Sequence, residues 1–204
     1  MDSNARPPGI SIRACGGDEA RSLTDVVCGL YRAVFSLPPF SGDEAEFANQ
    51  RSYYPSLTMR PGFRLTTAQA GDTYVGFGYG FLLPADTGWW RGLAEPVSEE
   101  FAREDGHRTF AVIDYGVLQA WRGSGVGHAI HDQLLGGSGA QRATLSVQPK
   151  AVETQEIYRR WGWRKVSFKK MDPPVPAPVF DILVLDEMPV THWGSKPAAA
   201  HPGR

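Results

Sequence analysis

Apolar and polar residues follow one another along the chain with two different periods, one typical of strands and one typical of helices. Over residues 9–15 every second residue is apolar, which predicts a strand. A helical spacing follows, for which Asp18 is the predicted N-cap. The apolar positions of this helix are Leu23, Val26, Val27, Leu30, Tyr31, Val34 and Phe35. Pro38 and Pro39 end it, because the residue before a proline disfavours the helical conformation.

A second helix and two strands are predicted next. Ser41 or Asp43 begins the helix, which stops before Pro55. The strands cover residues 63–70 and 73–83. Glycines and aromatic residues crowd the second strand, which predicts a bulge or a close approach of the backbone to another group.

The second half of the chain alternates strands with helices. Residues 84–108 interrupt the pattern and are predicted to form a loop carrying one short helix. The clearest buried strand covers residues 109–118, and a glycine-rich turn leads from it into a helix that ends at Gly136 and Gly137. The remaining elements are a strand over 143–147, a helix over 152–161 and strands over 164–169 and 179–185.

The order of these elements indicates the fold class. Strand, helix, helix, three strands, helix, strand, helix and two strands argue for a single α/β or α+β layer sandwich. The chain has 204 residues, 42% of them hydrophobic and 21% charged, which suits one domain with its own core. We predict one domain over residues 1–204, with a core over about 9–187 and a flexible tail over 190–204.

Charge and cysteine content narrow the partners and the compartment. A formal net charge of −1 without a long basic tract argues against nucleic acid. No apolar run approaches the roughly 20 residues that span a bilayer, and the first residues lack the apolar core of a signal peptide. Cys15 and Cys28 are expected to be reduced and buried. These features predict a cytoplasmic protein without a membrane partner.

The turn after the 109–118 strand is the strongest candidate for chemistry. It comprises Arg122, Gly123, Ser124, Gly125, Val126 and Gly127. Glycine lets the backbone approach a ligand closely, and the first N–H groups of the following helix are unpaired and favour negative charge. A pyrophosphate fits such a site, and Arg122 adds a fixed positive charge. The alternative is a turn whose glycines serve the backbone alone.

Two other phosphate-binding motifs do not fit this turn. The Walker type requires Gly, four residues and then Gly-Lys-Ser/Thr, and no such run occurs in the chain. The dinucleotide fingerprint Gly-x-Gly-x-x-Gly would start at Gly123 and require its third glycine where His128 stands. It is also expected at the first strand–helix junction, whereas this turn lies beyond the middle of the chain.

The motif Arg122-x-x-Gly125-x-Gly127 resembles the Gln/Arg-x-x-Gly-x-Gly/Ala signature of the GNAT superfamily of N-acetyltransferases. A second stretch, Tyr158-Arg-Arg-Trp-Gly162-Trp163, is similar to the Tyr-x-x-x-Gly-Phe of that family near the end of its last helix. The two motifs stand in the family's order, and the resemblance covers about residues 9–187. It implies a mixed, mostly antiparallel sheet with helices on both faces and a splayed pair of parallel strands.

The resemblance also implies a site for acetyl-CoA as co-substrate. Pantetheine would lie between the strands 109–118 and 143–147 and pair with main-chain groups near Val117. Backbone N–H groups of Gly123, Ser124, Gly125, Val126 and Gly127 would hold the pyrophosphate. The hydroxyl of Tyr158 would protonate the departing thiolate, which a phenol can do. The alternative role for Tyr158 is packing against the sheet.

The chain departs from the family pattern at three positions. Ala151 and Thr154 stand where many members carry Asn and Ala, seven and four residues before the tyrosine. One side-chain contact to CoA is therefore absent or replaced, whereas the main-chain contacts are unaffected. Trp163 replaces the commoner Phe.

A base that accepts the amine proton is also needed. Asp114 is the leading candidate, because it lies in an otherwise apolar strand next to the proposed CoA-binding residues. Its alternative role is to anchor a neighbouring loop. His107 and Glu104 are the next candidates, and His128 and His131 are expected to be surface or packing residues.

The acceptor is expected to be a small primary amine. By the resemblance, residues 36–54 and 84–108 would shape its site, and an acidic, aromatic wall would suit a cationic amine. The residues of that wall are Trp89, Trp90, Glu95, Glu99, Glu100, Glu104 and Asp105. A solvated acidic surface is the alternative. A non-catalytic acyl-CoA-binding module and a peptide N-terminal acetyltransferase also remain open, as does a homodimer; no metal is expected.

Overall fold

The computed structural model describes residues 9–171 and 177–190. Its strands are β1 (Ile10–Cys15), β2 (Arg64–Ala70), β3 (Thr73–Leu82), β4 (Thr109–Val117), β5 (Arg142–Val147), β6 (Arg164–Lys170) and β7 (Val179–Leu185). Its α-helices are α1 (Gly17–Ser22), α2 (Thr24–Phe35), α3 (Glu44–Leu57), α4 (Glu99–Ala102), α5 (Val126–Gly136) and α6 (Val152–Arg160). The predicted tail lies, apart from Val190, outside the described residues.

All seven strands belong to one sheet, in the order β1-β2-β3-β4-β5-β7-β6. The first four strands pair antiparallel, β4 and β5 pair parallel, and β7 pairs antiparallel with both β5 and β6. The predicted mixed, mostly antiparallel sheet with one parallel pair is confirmed.

Helices cover both faces of the sheet, as predicted. Helices α5 and α6 pack on one face, where Ile130, Leu134 and Tyr158 belong to the core. Helices α1, α2 and α3 pack on the other face, where Val27 and Tyr54 are fully buried. Burial of both faces explains why the central strand β4 is apolar almost throughout.

The N-terminal helices differ from their prediction in two ways. The helix expected to begin at Asp18 is two helices, α1 and α2, which meet at Leu23, and Asp18 lies inside α1. Asp43 caps α3 as predicted, since its carboxylate accepts the Glu46 N–H over 2.9 Å. The helix nevertheless continues past Pro55 to Leu57. A proline in the last turn forfeits one hydrogen bond of the helix without ending its packing.

Residues 84–108 form a long loop with the one short helix α4, as predicted. Trp90 and Leu93 of this loop are buried against β4 and β7. The carboxylate of Glu104 accepts hydrogen bonds from Trp90 Nε1 at 2.8 Å and from Arg142 Nη2 at 2.9 Å. Glu104, a candidate base, is therefore the buried anchor of this loop, because a buried carboxylate is retained where it is paired.

The structure shows the state of the two cysteines and the character of the helices. Cys15 and Cys28 form no disulfide, and both are half-buried rather than buried. Burial raises the pKa of the Cys15 thiol to about 11. Within residues 9–171 and 177–190, no helix combines the length and the apolar character that crossing a membrane requires.

Candidate active site

The parallel strands β4 and β5 separate halfway along their length. Their pairing runs from Thr109 with Arg142 to Val112 with Leu145 and stops there, although β4 continues to Val117. On its other side β4 stays paired with β3, with one extra residue, Ile113, between the partners of Gly80 and Tyr79. This bulge is in β4; the one predicted for the glycine-rich strand is at Val75 of β3, which is extra between the partners of Ala68 and Gln69 on β2. A bulge bends its strand, so β4 turns away from β5 and leaves a gap in the sheet.

The edge of β4 that borders this gap offers main-chain groups to a ligand. Leu118 donates its N–H to Val75 C=O of β3 over 2.9 Å. Because successive residues of a strand direct these groups to opposite sides, Tyr115 and Val117 direct theirs into the gap. The carbonyl of Val117 also accepts a hydrogen bond from Nε of Arg122 at 3.1 Å. An extended ligand with amide groups can therefore continue the sheet at this edge.

The glycine-rich turn ends where α5 begins. Gly123 and Gly125 have φ of 74° and 83°, a conformation that glycine adopts without steric cost. The first hydrogen bond of α5 runs from Ala129 N–H to Gly125 C=O at 3.0 Å. The N–H groups of residues 126–128 therefore have no carbonyl partner within the helix. They form an end of the helix that can bind an anion. Ser124 instead supports the turn, since its hydroxyl donates to Trp121 C=O at 2.6 Å.

Two residues of the turn fix the start of α5 on the sheet. Val126 is fully buried and packs in the core with Ile130. The carbonyl of Gly127 accepts a hydrogen bond from the hydroxyl of Tyr115 on β4. No sequence motif identified Tyr115, yet its side chain connects the edge of β4 to the anion-binding end of α5.

A cavity of about 720 Å³ occupies the gap. The residues of the predicted cofactor site that line it are Val117, Arg122, Gly123, Gly125, Gly127 and Tyr158. Ala151 and Thr154, where the family pattern is broken, line it as well. Val34 of α2 and Gly116 of β4 line it from the face opposite to α5 and α6. The cavity therefore passes through the sheet and joins its two faces.

Tyr158 projects from α6 into this cavity and is only 8% exposed. Its ring packs edge-on against Trp161, with 6.0 Å between centroids. Within the described part of the chain, its hydroxyl has no hydrogen-bond partner. Burial, and secondly the charge of Asp114, raise the pKa of Tyr158, so the phenol stays protonated at neutral pH. It is available as a proton donor in the cavity.

Asp114 lies on the other face of the sheet, one residue before the cavity-lining Tyr115, and does not itself line the cavity. Its carboxylate accepts a hydrogen bond from the hydroxyl of Tyr79, its partner on β3. Burial raises the pKa of Asp114 to about 6, against the opposing effect of the Tyr79 hydrogen bond, and the charge of Glu46 adds to the rise. The carboxyl group therefore titrates near neutrality, as a general base should.

The three histidines within the described residues occupy three different environments. His107 is exposed before the start of β4, at the end of that strand remote from the glycine-rich turn. His128 lines the cavity. His131 is buried, and its Nε2 accepts the indole N–H of Trp163 at 3.0 Å, which makes it the packing residue that was expected.

His128, His131 and Asp132 bring three potential metal-ligand atoms within 4.8 Å of one another. Because Trp163 can only donate, the proton of neutral His131 is on Nδ1, which faces Asp132 Oδ1 at 2.9 Å. Both nitrogens of His131 are thus engaged, and the ring has no free lone pair for a metal. Burial lowers the pKa of His131, which keeps the ring neutral.

The residues of the predicted acidic, aromatic wall do not line the cavity, and three of them make contacts within the fold instead. Trp89 donates its indole N–H to Thr144 at 3.0 Å, and Trp90 and Glu104 belong to the loop anchor described above. The loop between α2 and α3 does reach the cavity through Pro38, Pro39 and Phe40. These three residues carried no chemical signal in the sequence.

Known protein structures share the overall architecture of this chain. No protein-family model matches the sequence, and no curated protein is significantly similar to it. The structure is similar to PH1933 from Pyrococcus horikoshii OT3, with a TM-score of 0.60 and 19% identity over 87% of this chain and 98% of that one. It is similar to a putative acetyltransferase of the GNAT family from Desulfovibrio desulfuricans, with a TM-score of 0.57 and 15% identity over 87% and 98%.

A third similar structure contains a ligand. It is the PaiA N-acetyltransferase from Thermoplasma acidophilum in complex with coenzyme A, with a TM-score of 0.52 and 12% identity over 87% of this chain and 98% of that one. Identities this low establish shared architecture rather than shared activity. The resemblance stated from the two sequence motifs is confirmed at that level: the chain has the fold of the GNAT acetyltransferases.

Proposed function

We propose that the protein is an N-acetyltransferase that moves an acetyl group from acetyl-CoA to the primary amine of a small molecule. One observation carries the proposal. A single cavity connects the anion-binding end of α5 to the protonated hydroxyl of Tyr158 and continues to the face of the sheet that bears Asp114. A long, anionic, thioester-bearing co-substrate fits these three features in that order.

Different residues along the cavity would bind different parts of acetyl-CoA. Backbone N–H groups at the start of α5, with Arg122, would bind the pyrophosphate. The N–H and C=O groups of Tyr115 and Val117 would pair with the amides of pantetheine. This places the thioester in the gap between β4 and β5, where an amine arriving from the α2 face can attack it in a ternary complex.

The chemical step requires two proton transfers. The amine nitrogen forms a bond to the acetyl carbon while the bond from carbon to sulfur breaks. Asp114 accepts a proton from the amine, directly or through water, and Tyr158 donates its proton to the departing sulfur. The products are the amide and CoA in its thiol form, so atoms and charges balance.

A non-catalytic CoA-binding module is the competing function. It would share the cavity but would have no use for an unpartnered Tyr158 hydroxyl or for an Asp114 that titrates near neutrality. We also place the protein in the cytoplasm, where the unpaired cysteines stay reduced.

The proposal is tested first by binding and then by turnover. Acetyl-CoA should raise the melting temperature by mass action, whereas NAD and ATP at equal concentration should not. A panel of amines should then give CoA thiol release with a matching acetylated product in the mass spectrum. Stabilisation by NAD but not by acetyl-CoA contradicts the cofactor assignment. Binding of acetyl-CoA without turnover of any amine favours the module.

A further inference from the structure

A partly buried polar cluster with two carboxylates lies between the strands β3 and β4 and the helices α2 and α3. Asp114 accepts from the Tyr79 hydroxyl, and Gln50 of α3 donates its Nε2–H to the same hydroxyl at 3.4 Å. Beside them, Tyr31 of α2 donates to Oε1 of Glu46 on α3 at 2.8 Å. We call these five residues the acidic cluster.

Hydrogen bonding in the acidic cluster is unbalanced toward acceptors. Gln50 is 1% exposed, and its Oε1 has no donor within the described part of the chain. Asp114 and Glu46 each receive one side-chain hydrogen bond, which leaves the second carboxylate oxygen of each without a side-chain donor. Asp114 and Glu46 are only partly buried. Oε1 of Gln50 is therefore the acceptor of the cluster that is both buried and without a donor in the described residues, a state that is costly and that native structures normally avoid.

The charge of the cluster is also uncompensated. Among residues 9–171 and 177–190, no Lys, Arg or His forms an ion pair with Asp114 or Glu46. The two arginines of the neighbouring helix surfaces are already engaged, Arg32 with Glu44 at 2.7 Å and Arg51 with Asp25 at 2.6 Å. A site with two unpaired carboxylates and a free amide oxygen calls for a cation that donates several hydrogen bonds.

The electrostatic effects show that the two carboxylates share one environment. The charge of Glu46 contributes to the raised pKa of Asp114. The charges of Asp114 and Glu46 both contribute, after burial, to the raised pKa values of Tyr31 and Tyr53. The tyrosine rings around them offer apolar faces with which an ammonium group also interacts favourably.

We propose that the acidic cluster is the acceptor site and that it takes an amine carrying a second cationic group. This inference rests on the proposed function and specifies its substrate class. One ammonium group is held beside Asp114 and loses a proton to it, and the neutral amine then attacks the thioester in the gap. The second proton that the nitrogen loses replaces the one that Tyr158 has given to the sulfur. The second ammonium group remains charged, is held by Glu46 and takes no part in bond making or breaking. Glu46 is thus a specificity-determining residue.

The test compares 1,4-diaminobutane with 4-amino-1-butanol, which replaces one ammonium group by a neutral hydroxyl at nearly equal length. Acetylation of both is measured with wild-type protein and with Glu46→Gln, which keeps an oxygen acceptor for Tyr31. Glu44→Gln is the matched control, because it removes the same charge from the same helix at an exposed ion pair outside the cluster. Calorimetric titration of both amines into the CoA-loaded protein measures binding without turnover.

We expect the diamine to be acetylated in preference to the amino alcohol. Glu46→Gln should raise the KM for the diamine about tenfold or more, which corresponds to the loss of one charge-assisted hydrogen bond. The KM for acetyl-CoA should stay unchanged, as should all constants of Glu44→Gln. The comparison is made at pH 8, where Asp114 is ionised whether or not the charge of Glu46 adds to its pKa. Equal use of the two amines, or equal effects of the two variants, overturns the acceptor assignment while acetyl transfer stands. If the diamine binds with dependence on Glu46 but no amine is acetylated, the cationic site stands and the proposed activity fails.

Discussion

The indole N–H of Trp163 donates to Nε2 of His131 over 3.0 Å and so links the residue before β6 to the middle of α5. Both residues are at most 5% exposed. The bond fixes the proton of His131 on Nδ1 and thereby the hydrogen bond to Asp132.

Substituting Trp163 by Phe should therefore destabilise the fold, although phenylalanine is the commoner residue in the family that the motif resembles. The change leaves a buried acceptor without its donor, which costs about 1–3 kcal/mol. Denaturant unfolding measures this loss, with Trp121→Phe as the control, since the Trp121 indole donates no hydrogen bond within the described residues. Equal stability of the two variants would show that the bond contributes nothing.

Gly125→Val should abolish binding of acetyl-CoA. A β-branched residue at a φ of 83° is strained and displaces the N–H groups at the start of α5. Gly139→Val is the matched control, because Gly139 has a φ of 73°, open space around it and no position on the cavity. Calorimetry should detect acetyl-CoA binding to the Gly139 variant alone. A folded Gly125 variant that binds normally would mean that the turn is structural.

Tyr158→Phe should leave acetyl-CoA affinity nearly unchanged and lower kcat by about 10²- to 10⁴-fold, the usual contribution of a general acid. The expectation follows from a hydroxyl that lines the cavity without a partner in the described residues. Steady-state kinetics together with titration of acetyl-CoA separate the two effects. Unchanged turnover per folded molecule, with or without a loss of stability, would reduce Tyr158 to packing.

Asp114→Asn should change the pH dependence of activity. In the wild-type protein kcat/KM should rise with pH through about 6, as the carboxylate becomes able to accept a proton. The variant should lose most of its activity together with this acidic limb. A limb that persists near pH 6 in the variant would assign the base to another group.

The same substitution should change stability in a pH-dependent manner. Burial raises the pKa of Asp114 above its unfolded value of about 3.9, so its neutral form stabilises the fold below that pH and the benefit is lost as pH rises through about 6. Asp114→Asn should thus melt higher than wild type at pH 8, and the difference should shrink toward pH 4. The exposed Asp86→Asn is the control and should show no such trend.

The elements around the cavity were predictable because local signals determine them. A continuous apolar run specified β4, and glycines marked the turn into α5. The prediction that the helix stops before Pro55 was wrong, because the packing of α3 outweighs one lost hydrogen bond. The boundary at Leu23 was missed because the apolar period continues across it.

The acidic cluster, by contrast, could not be assembled from the sequence. Its five residues come from four elements, and their spacing follows no motif. The acidic loop at 84–108 gave the stronger signal for a cationic substrate, yet Glu104 is neutralised there by Arg142. Only the tertiary pairing tells which carboxylates already have a counter-ion.

The extra residue in β4 determines on which face of the sheet each functional side chain lies. Before it, Phe110 and Val112 face α5 and α6, at even positions; after it, Tyr115 and Val117 do so, at odd positions. Ile113 thus reverses the parity of the strand and brings Asp114 to the α2 face. Deleting Ile113 would remove the bend but leave each side chain on its present face. A regular strand that kept Ile113 within its alternation would instead exchange the two faces. The carboxylate would turn toward the co-substrate's side and the ring of Tyr115 toward the acceptor's, with every side chain of the site still present.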